Sequence, residues 1–129
     1  HWSVANRVSY LFEFRGPSLA VDTACSASLT ALHLAAESLY TEASDCVLVG
    51  GVNLIVDPMH YQVLSGTMML SLGDKLRAFG EGGDGFVGGE GVGAVVLKPL
   101  AKAVADGDRI YGVVKSSAIN HGGKTNGYT

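Results

Sequence analysis

The stretch Val21-Asp22-Thr23-Ala24-Cys25-Ser26-Ala27-Ser28 holds the residues best suited to covalent chemistry. A cysteine is a nucleophile when its thiol is deprotonated and open to a substrate. The first turn of a helix favours that state through its unpaired backbone N–H groups and its positive dipole end. Cys25 is predicted to occupy such a place, between a short apolar strand and a long apolar helix. Its neighbours Ala24, Ser26, Ala27 and Ser28 are small, which suits a sharp strand-to-helix turn where a substrate carbonyl must come close to backbone donors. A lone cysteine is more often a buried structural residue. The small-residue turn and the helix behind it argue for the nucleophile. Cys46, set in an apolar run, reads as a small buried hydrophobe.

Other chemistry-bearing patterns are weaker. Gly80/Gly82/Gly85 and Gly83/Gly85/Gly88 both fit G-x-G-x-x-G, but dinucleotide binding needs a strand before that motif and a helix start after it, and here a strand follows. The stretch reads instead as a tightly turned loop in which Asp84 and Glu90 make local hydrogen bonds. Gly122-Gly123-Lys124-Thr125 ends like a phosphate loop, yet position 118, where that motif needs glycine, is Ala118. His1, His33, His60 and His121 lack the paired spacings of metal sites, so no metal is expected. His33 is expected to contact Glu37 one helical turn on.

These residues need elements to position them. Val4, Val8, Leu11 and Phe12 recur at helical spacing within His1 to Arg15. Ser18 to Asp22 reads as a brief strand delivering Cys25. From Cys25 to about Tyr40, Ser26, Thr30, His33 and Glu37 form one polar stripe on an otherwise apolar or small cylinder, predicting a helix buried in a larger structure. Cys46 to Val52 reads as a strand covered on both faces. Asp57-Pro58 opens a partly helical segment with Met59, Met68 and Met69, read as adaptable core packing. Ala94 to Leu100 is a strand, Ala101 to Ala105 a short helix, and Ile110 to Ile119 a strand that could pair at the edge of the same sheet. Strand, helix and strand in succession favour an α/β layered fold.

With 129 residues, 47% hydrophobic, and 18 glycines, the chain suits one domain with a substantial core. It begins at His1 and ends on Tyr128-Thr129, and is read as a piece of a longer domain. A net charge of −3 and no Lys/Arg cluster argue against nucleic acid or an anionic membrane as partner. No apolar run reaches the roughly 18 residues of a membrane span, nothing marks export, and two cysteines fit a reducing, cytoplasmic setting.

The Cys25 stretch resembles the nucleophile motif of the β-ketoacyl synthase family, in particular of ketosynthase domains in modular type I polyketide synthases. Other matches run along the chain: Asn6-Arg7-Val8-Ser9-Tyr10, Gly50-Gly51-Val52-Asn53, Asp84-Gly85-Phe86-Val87 with Gly89-Glu90-Gly91 and Gly93, and Ile119 to Gly127. The tail and Arg77-Ala78-Phe79-Gly80-Glu81-Gly82 look most like ketosynthases served by a separate acyltransferase, although many relatives carry an acidic residue where this chain has Gly80. The resemblance implies a thiolase-like fold in a homodimer, with residues 1–129 forming the later part of its N-terminal half. It implies that Cys25 accepts an acyl chain from the phosphopantetheine of an acyl carrier protein, its backbone N–H serving in the oxyanion hole. A malonyl-type extender then loses carbon dioxide and condenses with the thioester. The partners implied are the carrier protein and neighbouring synthase domains, and no cofactor is bound by the chain itself. Two further catalytic histidines are expected downstream, so the 129 residues alone are expected to be inactive. The alternatives are a fatty-acid ketoacyl synthase, a chain-length-controlling subunit, and a non-elongating ketosynthase acting as a transacylating or binding module.

Overall fold

Six elements follow one another in the computed structural model, which describes residues 1–124. They are α1 (Trp2–Leu11), α2 (Ala27–Tyr40), β1 (Val47–Asn53), α3 (Met59–Gly66), β2 (Gly91–Leu97) and α4 (Leu100–Ala105). β1 and β2 pair in a two-stranded sheet. The chain divides into two compact units, one of His1–Gly51 with Ala94–Thr129, the other of Val52–Gly93.

In the first unit, α1 and α2 form where the apolar spacing predicted helices. Both end the same way. After α1, the Phe14 N–H bonds to the Ser9 carbonyl at 2.9 Å and Glu13 takes φ 55°. After α2, the Ala43 N–H bonds to the Ser38 carbonyl at 2.9 Å and Glu42 takes φ 56°. Each is a Schellman closure, which satisfies last-turn carbonyls through a left-handed residue. Thr41 Oγ1 also donates to the Glu37 carbonyl at 2.9 Å. α4 is tied to the end of β2 by charge: Lys98 Nζ lies 2.5 Å from Asp106 and 2.6 Å from Asp108, and Lys102 lies 3.4 Å from Asp106. The hydrogen bond from Lys98, then that from Lys102, holds the Asp106 carboxyl below its ordinary range.

In the second unit, Asp57 Oδ1 accepts the Met59 N–H at 2.7 Å and starts α3 behind Pro58, a helix position that needs no N–H. The glycine-dense segment is a loop, as expected, but Asp84 and Glu90 bond to partners 12 to 35 residues earlier in the chain and not locally. Asp84 accepts from Ser71 Oγ at 2.7 Å and from the Leu72 N–H at 3.2 Å, bonds that lower its pKa. Glu90 accepts the Ile55 N–H at 2.5 Å. Phe86 bridges Leu70 through bonds to Met69 and Ser71 of 3.0 and 2.9 Å. A Cβ at Gly85 would collide with the backbone of Leu70 and Ser71, so only glycine permits that approach.

Several expectations are corrected. Ser18 to Asp22 and Ile110 to Ile119 are not strands. Among the described residues neither has a ladder partner, and a strand without one leaves its backbone unpaired. β2 therefore pairs with β1 and not with the 110–119 segment. β1 is covered along Val47, Val49 and Gly51 but open along Leu48, Gly50 and Val52, so one face is packed and not both. Among the described residues the buried hydrophobic ones are Ala35, Ala36, Val49 and Ala103. On α2, Leu29 is 72% exposed, because among the described residues no layer covers that side. Met59 and Met68 are likewise exposed and do not serve as core. The end of the expected tail motif, Thr125 to Gly127, lies outside the described residues.

Candidate functional site

Cys25 lies in the connection that enters α2, and its thiol is exposed. The turn is made by local bonds. Asp22 Oδ1 accepts the Ala24 N–H at 3.1 Å, and the Ala27 N–H reaches the Ala24 carbonyl at 3.0 Å. Ala24 takes φ 52°, a left-handed conformation uncommon for a residue with a Cβ and favoured only where surrounding bonds hold it. Alanine is the smallest side chain that could sit there short of glycine.

Around this turn lies a set of hydroxyls. Ser26 Oγ is 2.9 Å from the Thr23 carbonyl oxygen and 2.8 Å from Thr23 Oγ1. Thr23 Oγ1 in turn is 3.1 Å from Thr30 Oγ1, inside α2. The Thr30 N–H bonds back to the Ser26 carbonyl at 2.9 Å, the first bond of the helix. No side chain caps the helix start; the Cys25 backbone forms an isolated bridge with Thr23, and among the described residues its N–H makes no hydrogen bond of 3.5 Å or less. An exposed thiol and an unengaged backbone donor on one residue suit attack on a carbonyl whose oxygen becomes negative.

β1 approaches the same helix start. A Cβ on Gly51 would stand 2.5 Å from Ser28 Oγ and 3.3 Å from Ser28 Cβ. The strand can pass there only without a side chain. Further along the polar stripe, His33 Nδ1 lies 2.9 Å from Ser117 Oγ, which corrects its expected pairing with Glu37. The stripe holds flanking segments against the helix instead of bridging to itself. Cys46 is exposed and not buried, since it precedes the covered part of β1. Among the described residues no three His, Cys, Asp or Glu side chains gather as a metal site, and no helix is long and apolar enough to cross a membrane.

Sequence reasoning named Cys25 and missed the Thr23–Thr30 bridge and the Gly51–Ser28 approach. The signal for the first was present in Thr30, which shares a face with Ser26. That for the second lay in Gly51, a glycine inside a strand run, which often marks a close backbone approach.

A small-residue turn, an exposed cysteine and a helix behind it are set in an α/β arrangement. The family profile of the β-ketoacyl synthase N-terminal domain matches residues 1–103, and the chain belongs to that family. It is 69% identical over its whole length to polyketide synthase PksM of Bacillus subtilis and 58% identical over 127 residues to PksL of the same organism. It spans 3% of the length of each of these relatives. Among solved structures it resembles an oxazolomycin ketosynthase domain of Streptomyces albus, with a TM-score of 0.93 and 53% identity over 97% of this chain. It also resembles a cysteine-to-serine variant of the module 6 ketosynthase from the bacillaene synthase of Bacillus subtilis, with a TM-score of 0.94 and 44% identity over 98% of the chain. It covers 22% of each of those solved chains. The fold is accordingly that of part of a thiolase-like ketosynthase domain.

Proposed function

We propose that residues 1–129 are the nucleophile-bearing part of a ketosynthase domain in a modular polyketide synthase, of the kind served by a separate acyltransferase. Cys25 Sγ attacks the thioester of an acyl chain carried on the phosphopantetheine of an acyl carrier protein. The carbonyl oxygen becomes negative and is met by the Cys25 N–H. The carbon–sulfur bond to the carrier then breaks, and the carrier thiol leaves with the proton. A malonyl-type extender next loses carbon dioxide, and its enolate carbon attacks the Cys25 thioester. A carbon–carbon bond forms, the bond to Cys25 breaks, and a β-ketoacyl product remains on the carrier. The exposed Cys25 thiol beside its own unengaged N–H carries this reading, together with membership of the family.

The two histidines implied for decarboxylation lie beyond residue 129 in this reading, and none of His1, His33, His60 or His121 takes their role. No cofactor is bound by the chain, and the phosphopantetheine arrives with the substrate. The complete domain works as a cytoplasmic homodimer beside other synthase domains. The test is to supply the full-length synthase with an acyl thioester and a malonyl-carrier protein, and to follow β-ketoacyl-carrier protein by mass spectrometry. Product is expected from the unsubstituted chain and none from Cys25→Ala. Unchanged product with Cys25→Ala would refute the assignment.

A further inference from the structure

The nucleophile turn is held by several local ties and one longer one. Asp22 to Ala24, Ala27 to Ala24 and Ser26 to Thr23 each span no more than three residues. Among the described residues only the 3.1 Å contact between Thr23 Oγ1 and Thr30 Oγ1 reaches from the segment before Cys25 past the first residue of α2. Thr30 lies one turn into α2, past the residues that form the turn itself.

We infer that Thr30 is a positioning residue for the nucleophile, fixing through Thr23 the orientation of the Cys25 thiol and N–H relative to α2. This rests on the assignment of Cys25 as acyl acceptor. The physical need for such a tie is Ala24. Its left-handed backbone is disfavoured on its own and persists only where neighbouring bonds over-determine it. With the hydroxyl bridge gone, the segment carrying Asp22 and Thr23 keeps only its ties to Ser26 and Ala27 at the helix start and gains freedom about Ala24 while the helix stays intact. The thiol and the oxyanion donor would then lose their shared aim, and small misplacements of reacting groups are costly in rate. Thr30 does this without contacting the reacting atoms, and its hydroxyl, not its bulk, is the working part.

The test uses the full-length synthase and the acyl thioester of N-acetylcysteamine, a truncated mimic of the carrier arm, with acylation of Cys25 followed by mass spectrometry. Thr30→Val keeps the shape and removes the hydroxyl. It is expected to lower the maximal acylation rate about tenfold, with KM changed by no more than about twofold, the loss of one orienting hydrogen bond. Thr30→Ser restores the hydroxyl and should return the rate to within about twofold of the unsubstituted chain. Thr23→Val, which also removes the contact to Ser26 Oγ, should be at least as slow as Thr30→Val, and the pair together should be no slower than Thr23→Val alone. An unaltered rate in Thr30→Val, a Thr30→Ser variant as slow as Thr30→Val, or losses that multiply in the double variant would each overturn the inference. Should Thr30→Val fail to fold, Thr30→Ala is measured and decides by the same criterion. Absence of label on Cys25 in the unsubstituted chain would instead remove the acyl-acceptor assignment on which the bridge depends.

Discussion

Gly51 sets how closely β1 passes the start of α2. A side chain there would meet Ser28 Oγ at 2.5 Å and Ser28 Cβ at 3.3 Å. Gly51→Ala should therefore push on the first turn of α2 and destabilise the ketosynthase domain by about 1–3 kcal/mol, the usual cost of overpacking. Ser28→Ala in the same chain removes the nearer atom and should recover most of that loss in urea unfolding. A double variant no more stable than Gly51→Ala alone would show that the contact is not what excludes a side chain. The turn that carries Cys25 was legible in the sequence because its signal is local: small residues and a helix start, all within eight positions. The hydroxyl bridge was only half legible. The helical period put Ser26, Thr30, His33 and Glu37 on one face, but not which segment would meet it. His33 illustrates why, since its partner Ser117 is 84 residues away and no spacing rule reaches that far.

Helix ends offer a second kind of test. α1, α2 and α4 finish in the same 6→1 closure, yet the left-handed residue is glycine only after α4, at Gly107 with φ +71°. After α1 and α2 it is Glu13 and Glu42, each carrying a Cβ where the backbone favours none. Glu13→Gly and Glu42→Gly should each stabilise the domain by about 1 kcal/mol. Urea midpoints measured on the ketosynthase domain would check this, and a fall in either midpoint would contradict it. All four helices were legible from period and punctuation, to within a residue or two at most ends. The strands were less so. β1 and β2 have partners, whereas the apolar runs at Ser18 to Asp22 and Ile110 to Ile119 look equally strand-like in sequence but have no partner among the described residues. Strand formation depends on what lies alongside, and a single sequence does not state it.

Across the whole chain, hydrophobic composition and burial disagree. The sequence is 47% hydrophobic, yet among the described residues only Ala35, Ala36, Val49 and Ala103 are buried apolar residues, while Leu29, Leu48 and Val52 stand open. Composition counts how much apolar surface exists, not which chain segments cover it, so the expected core was legible in amount and not in place. The chain covers 22% of the solved ketosynthase domains it resembles, and the covering layers and the decarboxylating histidines belong, in the proposed reading, to the remainder. Residues 1–129 alone should accordingly yield no β-ketoacyl product from acyl and malonyl thioesters, and product formation by this piece would contradict the division of roles. The central claim is tested most directly by mapping the acyl label. Cys25 and Cys46 are both exposed, so exposure alone does not choose between them and the label reports the built site. After brief incubation of the full-length synthase with an acyl thioester, digestion and mass spectrometry should place the acyl group on the peptide containing Cys25 and leave Cys46 free. Label on Cys46 or elsewhere, with Cys25 unmodified, would contradict the account.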